Sequence, residues 1–261
     1  MKPSVRKRIY RQSMPWLLSA LLLLCWQVAS TRSGVSHAIF PTPGEVFQSF
    51  EKYRSAITEH ALHTVITSLS GFFLALIAGV LIGLAIGASS LIYSGVYPLL
   101  VAFNAIPKAA LLPLFVIWCG IGAVPAILTA FSLAFFPIVV NVATGLATIE
   151  PEMEDVMRAL GARRDEILVK VGIPRSLPYL FASLKVAITL AFVGSVISET
   201  VASNRGIGNM MMIASAAFDV PLVYAGLLIL AILGVALYGV FSLIEARVTG
   251  WAHRRTDFAM T

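Results

Sequence analysis

Residues 60–107 read HALHTVITSLSGFFLALIAGVLIGLAIGASSLIYSGVYPLLVAFNAIP, a run without one aspartate, glutamate, lysine or arginine. A helix rises about 1.5 Å per residue and needs roughly 20 apolar residues to cross a hydrocarbon core of roughly 30 Å, so this run is too long for one crossing and must be divided. Gly87-Ala88-Ser89-Ser90-Leu91-Ile92-Tyr93-Ser94-Gly95 reads as the turn that divides it. Working outward, residues 12–31, 109–149 and 220–244 are also free of charge, and Cys119-Gly120-Ile121-Gly122-Ala123 reads as a second internal turn. Spans are expected near 14–31, 63–87, 93–118, 123–147, 177–198 and 220–244. The predicted fold class is all-α, a polytopic membrane protein with six transmembrane helices.

Composition agrees: 58% of the 261 residues are hydrophobic and 12% are charged, against about 25% charged in an ordinary soluble domain. A water-soluble globule is excluded on that ground. The net charge of +6 fits nucleic acid, a membrane surface or cytoplasmic loops, and the placement of the charges decides between them. Lys2, Arg6, Lys7, Arg8 and Arg11 precede the first span. Arg158, Arg163, Arg164, Lys170, Arg175 and Lys185 follow the fourth, and Arg247, Arg254 and Arg255 follow the sixth. Only Arg32, Lys52, Arg54 and Arg205 fall on the other side. Basic residues collect on cytoplasmic loops, so both termini are predicted inside and nucleic acid is not needed as a partner. The basic start and Val28-Ala29-Ser30 resemble a secretory signal, but the apolar stretch exceeds the usual 7–15 residue core and ends in Trp26 and Gln27, which favours an uncleaved anchor. Cys25 and Cys119 lie inside apolar runs and make neither a disulfide framework nor a cysteine metal site.

Two loops are longer than connectors. In the outer one, Thr42-Pro43-Gly44-Glu45 offers an N-cap, a proline at the first helical position and a capping glutamate, followed by Val46, Phe50, Tyr53 and Ile57 at helical spacing. The expected amphipathic helix lies on the outer interface or covers the bundle, the second being the simpler reading. The inner loop, 150–177, holds six of the 13 acids. Pro151 suits a helix start, Glu152, Glu154 and Asp155 complement its positive end, and Met153, Val156, Met157 and Leu160 form an apolar stripe that Gly161 ends. A second short helix is expected from about Arg163 to Val171, closed by Ile173-Pro174.

At these residues the chain resembles the membrane permeases of bacterial ABC importers, whose cytoplasmic signature is E-A-A-x-x-x-G followed after nine residues by I-x-L-P. Here Asp155-Val156-Met157-Arg158-Ala159-Leu160-Gly161 is followed, after nine residues, by Val171-Gly172-Ile173-Pro174. The glycine-to-proline interval is kept, while Asp replaces the acid and Val-Met the paired alanines. From Phe40 onward the chain is similar to the subfamily serving sulfonates, taurine and nitrate, through Phe40-Pro41-Thr42-Pro43, Ile106-Pro107, Leu112-Pro113-Leu114, Gly120-Ile121-Gly122, Phe136-Pro137 with Asn141, and Glu199 with Gly206-Ile207-Gly208.

The resemblance implies a type I ABC importer permease fold and a division into an anchor and outer segment (1–61), a core permease domain (62–250) and a cytoplasmic tail (251–261). It implies that Asp155, Val156, Met157, Ala159, Leu160, Gly161, Ile173 and Pro174 dock on a cytoplasmic ABC ATPase dimer. ATP is bound there, so the chain is expected to need no cofactor and to perform no catalysis. The other expected partners are an extracytoplasmic solute-binding protein, a second permease copy and the lipid bilayer of the bacterial inner membrane. A sulfonate-like or nitrate-like anion is the expected solute, with pyrimidine-type vitamin precursors as the alternative.

Polar groups within spans are costly and mark function, so Asn104, Lys108, Asn141, Lys185 and Glu199 are the candidate pathway residues. Pro107 and Pro113 flank Lys108 and suggest a broken span facing a cavity. The Lys185 stem can instead reach the cytoplasmic interface, asparagines serve interhelical hydrogen bonds, and Glu199 can cap a helix end. The four histidines, His37, His60, His63 and His253, are scattered, so no metal centre is expected. A secondary transporter or channel working without an ATPase would carry more intramembrane acids or two related halves, and neither is visible.

Overall fold

The computed structural model describes residues 5–32, 34–36, 38–147 and 151–249; Glu150, Lys2, His37 and the tail 251–261 with His253, Arg254 and Arg255 lie outside the described residues. Every regular element described is helical. In chain order these are α1 (Val5–Arg32), α2 (Pro43–Lys52), α3 (Arg54–Gly87), α4 (Ser90–Ala105), α5 (Leu112–Cys119) and α6 (Ala123–Ala147). Then come α7 (Pro151–Ala159), α8 (Arg164–Ile167), α9 (Ile173–Ala202), α10 (Ile207–Ala216) and α11 (Val220–Val248).

The core is a three-helix stack of α3, α6 and α9. Its buried residues are mostly small or branched: Ala75, Ala130, Ala134, Ile138, Val142, Ala187, Ile188 and Ala191, closed by Phe72. Lipid is as apolar as leucine, so helices in a bilayer associate by close packing more than by the hydrophobic effect. The fourfold spacing of Gly71, Ala75, Gly79, Gly83 and Gly87 puts small residues on one face of α3, and that face meets α6 along its length. A methyl group added at Gly71 would lie 2.6 Å from the Ile127 carbonyl, at Gly79 2.9 Å from Ile138 Cγ2, and at Gly83 2.7 Å from Val142 Cβ. Leu81, off the stripe, is 63% exposed.

Among the described residues, four helices are long and apolar enough to cross a membrane: Arg54–Gly87, Ala123–Leu146, Ser176–Ala202 and Val220–Val248. The expected span at 93–118 is not one straight helix, because Leu91–Ala105 and Lys108–Cys119 meet at 75° and count as a fifth span only if taken together. The break has a local cause. Pro107 carries no amide hydrogen and disfavours helical geometry at Ile106, whose ψ is 130°. The expected first span falls within α1 (Val5–Arg32), whose part Leu17–Arg32 is an apolar helix, and the sixfold count is not confirmed exactly.

Among the described residues, α1 touches the rest through its C-terminal end. Trp26 Nε1 donates to the Pro41 carbonyl at 3.0 Å, Ser30 Oγ donates to the Phe40 carbonyl at 2.7 Å, and the Trp26 ring stacks on Tyr224 of α11 at 5.7 Å. The capping box at α2 is formed: the Thr42 amide donates to Glu45 Oε2 at 2.7 Å, and the Glu45 amide donates to Thr42 Oγ1 at 3.3 Å. Val46 and Ser49 of α2 and Ile57 of α3 are buried, and Tyr53 Oη donates to Asp219 Oδ2 at 3.1 Å. The amphipathic segment thus covers the bundle where α11 begins.

Candidate translocation and coupling sites

The inner loop forms α7, a turn and the single helical turn α8. Side chains of residues 151–154, including Glu152, Met153 and Glu154, lie outside the described ones. α7 ends in a glycine-dependent stop: the Ala162 amide reaches back to the Met157 carbonyl at 3.0 Å, the Gly161 amide reaches Arg158 at 2.9 Å, and Gly161 takes φ +86°. This double closure is the Schellman arrangement, which satisfies carbonyls that a helix end leaves open. Asp155, Val156, Ala159, Leu160 and Gly161 are exposed, and Met157 is half-buried. Val156 at 59% and Leu160 at 78% exposure show apolar surface on a loop that the charge pattern places in water.

The second helix is shorter than expected. α8 stops at Ile167 and passes into a π-turn over Leu168–Gly172, from which α9 starts at Ile173-Pro174, both partly buried. Glu166 accepts the Arg163 amide at 3.0 Å and pairs with Lys170 Nζ at 3.3 Å. These contacts, the amide first, hold its carboxyl below the ordinary glutamate value.

Asn104 and Lys108 come together at the 75° break. Lys108 Nζ donates to Asn104 Oδ1 at 2.7 Å and to the Asn104 backbone carbonyl, and lies 4.8 Å from the centre of the Phe136 ring. Its charge sits against the negative, carbonyl end of α4, as a cation should. Lys108 is only 8% exposed, and every partner shown is neutral. Asn141 lies on α6 and donates through Nδ2 to the Pro137 carbonyl at 2.8 Å, a contact within its own helix.

Lys185 and Glu199 are elsewhere and separate. Lys185 Nζ pairs with Glu245 Oε2 of α11 at 2.6 Å, so its stem spans two helices instead of reaching alone for the interface. Glu245 was missed because it stands one residue beyond a charge-free run, and the sequence does not state which span lies beside which. Both side chains are largely buried, at 22% and 11% exposure. Removing one partner strands the other charge. Lys185→Ala and Glu245→Ala are each expected to lower the melting temperature of the assembled complex, by about 2 kcal/mol of stability after allowing for residual solvent. Lys185→Met with Glu245→Leu together is expected to recover most of it; a thermal-shift double-mutant cycle is the check.

Glu199 has no exposed surface. Its carboxylate is enclosed by α3, α9 and the start of α10, accepting from Thr64 Oγ1 at 2.8 Å, the Gly208 amide at 3.2 Å and Thr67 Oγ1 at 3.4 Å. Thr67 Oγ1 also lies 2.6 Å from Ser195 Oγ, and His63 Nδ1 is 3.7 Å from Glu199 Oε1. His60 Nδ1 meets the Gly206 carbonyl at 2.9 Å. Thr64, Thr67 and Ser195 were not singled out from sequence, although the i, i+3 threonines in an apolar span were the available signal.

Comparison with known proteins identifies what this architecture serves. Residues 71–250 match the family described as binding-protein-dependent transport system inner membrane component. The riboflavin transport permease RibX of Chloroflexus aurantiacus is 34% identical over 88% of this chain and 87% of its own. The formylaminopyrimidine permease ThiX of Halalkalibacterium halodurans is 28% identical over 95% and 100% of the two chains. The putative aliphatic sulfonates permease SsuC of Bacillus subtilis is 28% identical over 95% and 92%. In fold, the chain resembles an inward-facing structure of the methionine ABC transporter MetNI, with TM-score 0.66 and 21% identity over 76% of this chain and 98% of that one. The all-helical stack, the protruding inner loop and a family match over most of the chain agree. The chain belongs to the binding-protein-dependent transport system inner membrane components, as the membrane-spanning permease subunit of an ABC importer whose ATP hydrolysis is the work of a separate subunit.

Proposed function

We propose that this permease acts as a homodimer that passes a small anion of the sulfonate, taurine or nitrate class inward, with Lys108 supplying positive charge on the path. Lys108 is the observation that carries the reading: a nearly buried ammonium at a helix break, bonded to neutral oxygens and a ring, with no carboxylate partner among the described residues. Such a charge is costly within a membrane and is kept where an anion passes. SsuC, named as a putative aliphatic sulfonates permease, supports the solute class. A neutral heteroaromatic solute is the second reading, favoured by the names of ThiX and RibX.

In this reading the loop 150–177 docks on the ATPase pair, which binds the ATP, and the permease itself carries no cofactor. The 62–250 core does the transport, with 1–61 as anchor and outer segment and 251–261 as a tail. Both termini face the cytoplasm, as the distribution of lysine and arginine supports. Asn104, Asn141 and Lys185 join Lys108 as polar groups along or beside the route, whereas Glu199, expected there from sequence, is enclosed by α3, α9 and the start of α10 and stands off it.

The test purifies the complex with its binding protein and identifies the retained solute by mass spectrometry. An anion is expected. Lys108→Gln should then cut import about tenfold or more, the weight of one charge-assisted contact, with basal ATP hydrolysis kept, and Lys108→Arg should retain most import. Recovery of a neutral pyrimidine, or full import by Lys108→Gln, would reject the anion reading.

A further inference from the structure

The two glycines of Gly206-Ile207-Gly208 take their meaning from Glu199. Gly206 adopts φ +101°, and a Cβ there would run into the Glu199 carboxylate; a Cβ at Gly208 would lie 2.7 Å from the Val196 carbonyl and 2.9 Å from Glu199 Cβ. Their absence lets the start of α10 close directly over the acid. The Gly208 amide donates to Glu199 Oε2 at 3.2 Å, and the Ile207 amide donates at 2.9 Å to Thr64 Oγ1, which itself donates to the same carboxylate oxygen at 2.8 Å. Two amides of the first turn of α10, which no helix satisfies internally, are therefore both taken up by this cluster.

What the cluster holds in place is the loop just before α10. Ser203 Oγ donates to the Arg205 carbonyl at 2.7 Å and accepts the Arg205 amide at 3.2 Å, while Asn209 Nδ2 donates to the Ser203 carbonyl at 2.7 Å. Asn204 and Arg205 stand exposed at the tip, with Arg205 3.9 Å from Glu59. Besides the start of α10, the His60 contact at Gly206 also holds the loop.

We propose that Glu199 is a positioning residue for the loop 203–206. By pinning the first turn of α10 to α3 and α9, it fixes where Asn204 and Arg205 are offered to the solute-binding protein. The proposal rests on the outward orientation of this end, which external labelling of Arg205→Cys by an impermeant thiol reagent checks separately.

The test uses the whole complex, permease with ATPase and binding protein, reconstituted in lipid. In Glu199→Ala, amide exchange at Ile207 and Gly208 is expected to accelerate about 100-fold, with amides of the α3 stripe around Gly79 and Gly83 unchanged. The concentration of loaded binding protein giving half-maximal stimulation of ATP hydrolysis should rise about tenfold, at an unchanged maximal rate. Glu199→Gln, which keeps an acceptor oxygen, should restore most of both. Should Glu199→Ala not assemble, Thr64→Val removes the hydroxyl that joins Ile207 to the carboxylate and is read the same way. Unchanged exchange at positions 207 and 208, or a fall in maximal rate with no shift in half-saturation, would overturn the proposal. Loosened amides with unaltered half-saturation would likewise leave Glu199 a structural tie only.

Discussion

Gly83→Leu and Gly79→Leu are expected to leave little assembled permease in the membrane, while Leu81→Phe accumulates like the parent. All three enlarge a side chain on the same helix, so bulk alone does not separate them. At Gly83 a single added carbon would already meet Val142 Cβ at 2.7 Å and the Val139 carbonyl at 3.0 Å, and at Gly79 it would meet Ile138 at 2.9 Å. A leucine adds three more carbons beyond that point. The backbones of α3 and α6 must then separate along a seam whose attraction depends on close approach, at a cost of about 3 kcal/mol or more. Leu81 points away from this seam and takes a larger ring at little cost. Yield of complex after mild detergent extraction reads the difference. Equal losses in all three variants would remove the seam from the account.

Gly161→Asp should insert and fold normally yet lose ATPase association or solute-stimulated hydrolysis, by about 100-fold, the scale of an unpaired charge at a desolvated contact. Gly161 is exposed and has open space where a Cβ would go, so the chain itself offers no clash. Its φ of +86° is uncommon for a side-chain-bearing residue, but aspartate is among those that tolerate it best, at about 1 kcal/mol. A larger effect must therefore come from whatever the loop docks against. Leu160→Ala should give an intermediate loss by shortening the apolar contact beside it, and Arg164→Ala should be mild. Co-purification of ATPase with tagged permease, followed by hydrolysis in lipid, separates lost binding from lost stimulation. Parental behaviour of Gly161→Asp in both would withdraw the docking role of the inner loop.

The features read correctly from sequence share a property: their determinants lie within one or two helical turns of each other. Absence of charge over 20 residues marks a crossing whatever its neighbours are. Thr42 and Glu45 close a capping box because they are three residues apart, and glycines four apart share a face. Gly161 stops α7 through bonds reaching back to residues 157 and 158. The features that sequence did not yield need distant partners. Thr64 and Glu199 are separated by 135 positions, Lys185 pairs with a residue on another span, and α10 is too short to announce itself beside longer apolar runs. Pro107 did announce a break, but a 75° bend also depends on where α5 must go to reach α6. The π-turn at Leu168–Gly172 replaced the expected continuation of a regular helix for a related reason. It lies between the short turn of α8 and a helix packed on α3 and α6.

α9 joins the two ends discussed above without a gap. It begins at Ile173-Pro174, the close of the inner signature, and ends beyond Glu199 at Ala202. Thirty residues of helix make a rod about 45 Å long, with Gly194 set against the Thr129 carbonyl of α6 at a Cβ-equivalent distance of 3.0 Å. Rotation of that rod by about 5° about its inner end would sweep the outer end through about 4 Å, more than the length of a hydrogen bond. A rotation of that size would carry the Glu199 end of the rod farther than one hydrogen bond reaches, so the contacts of the cluster could hold only if α3 and α10 moved with it.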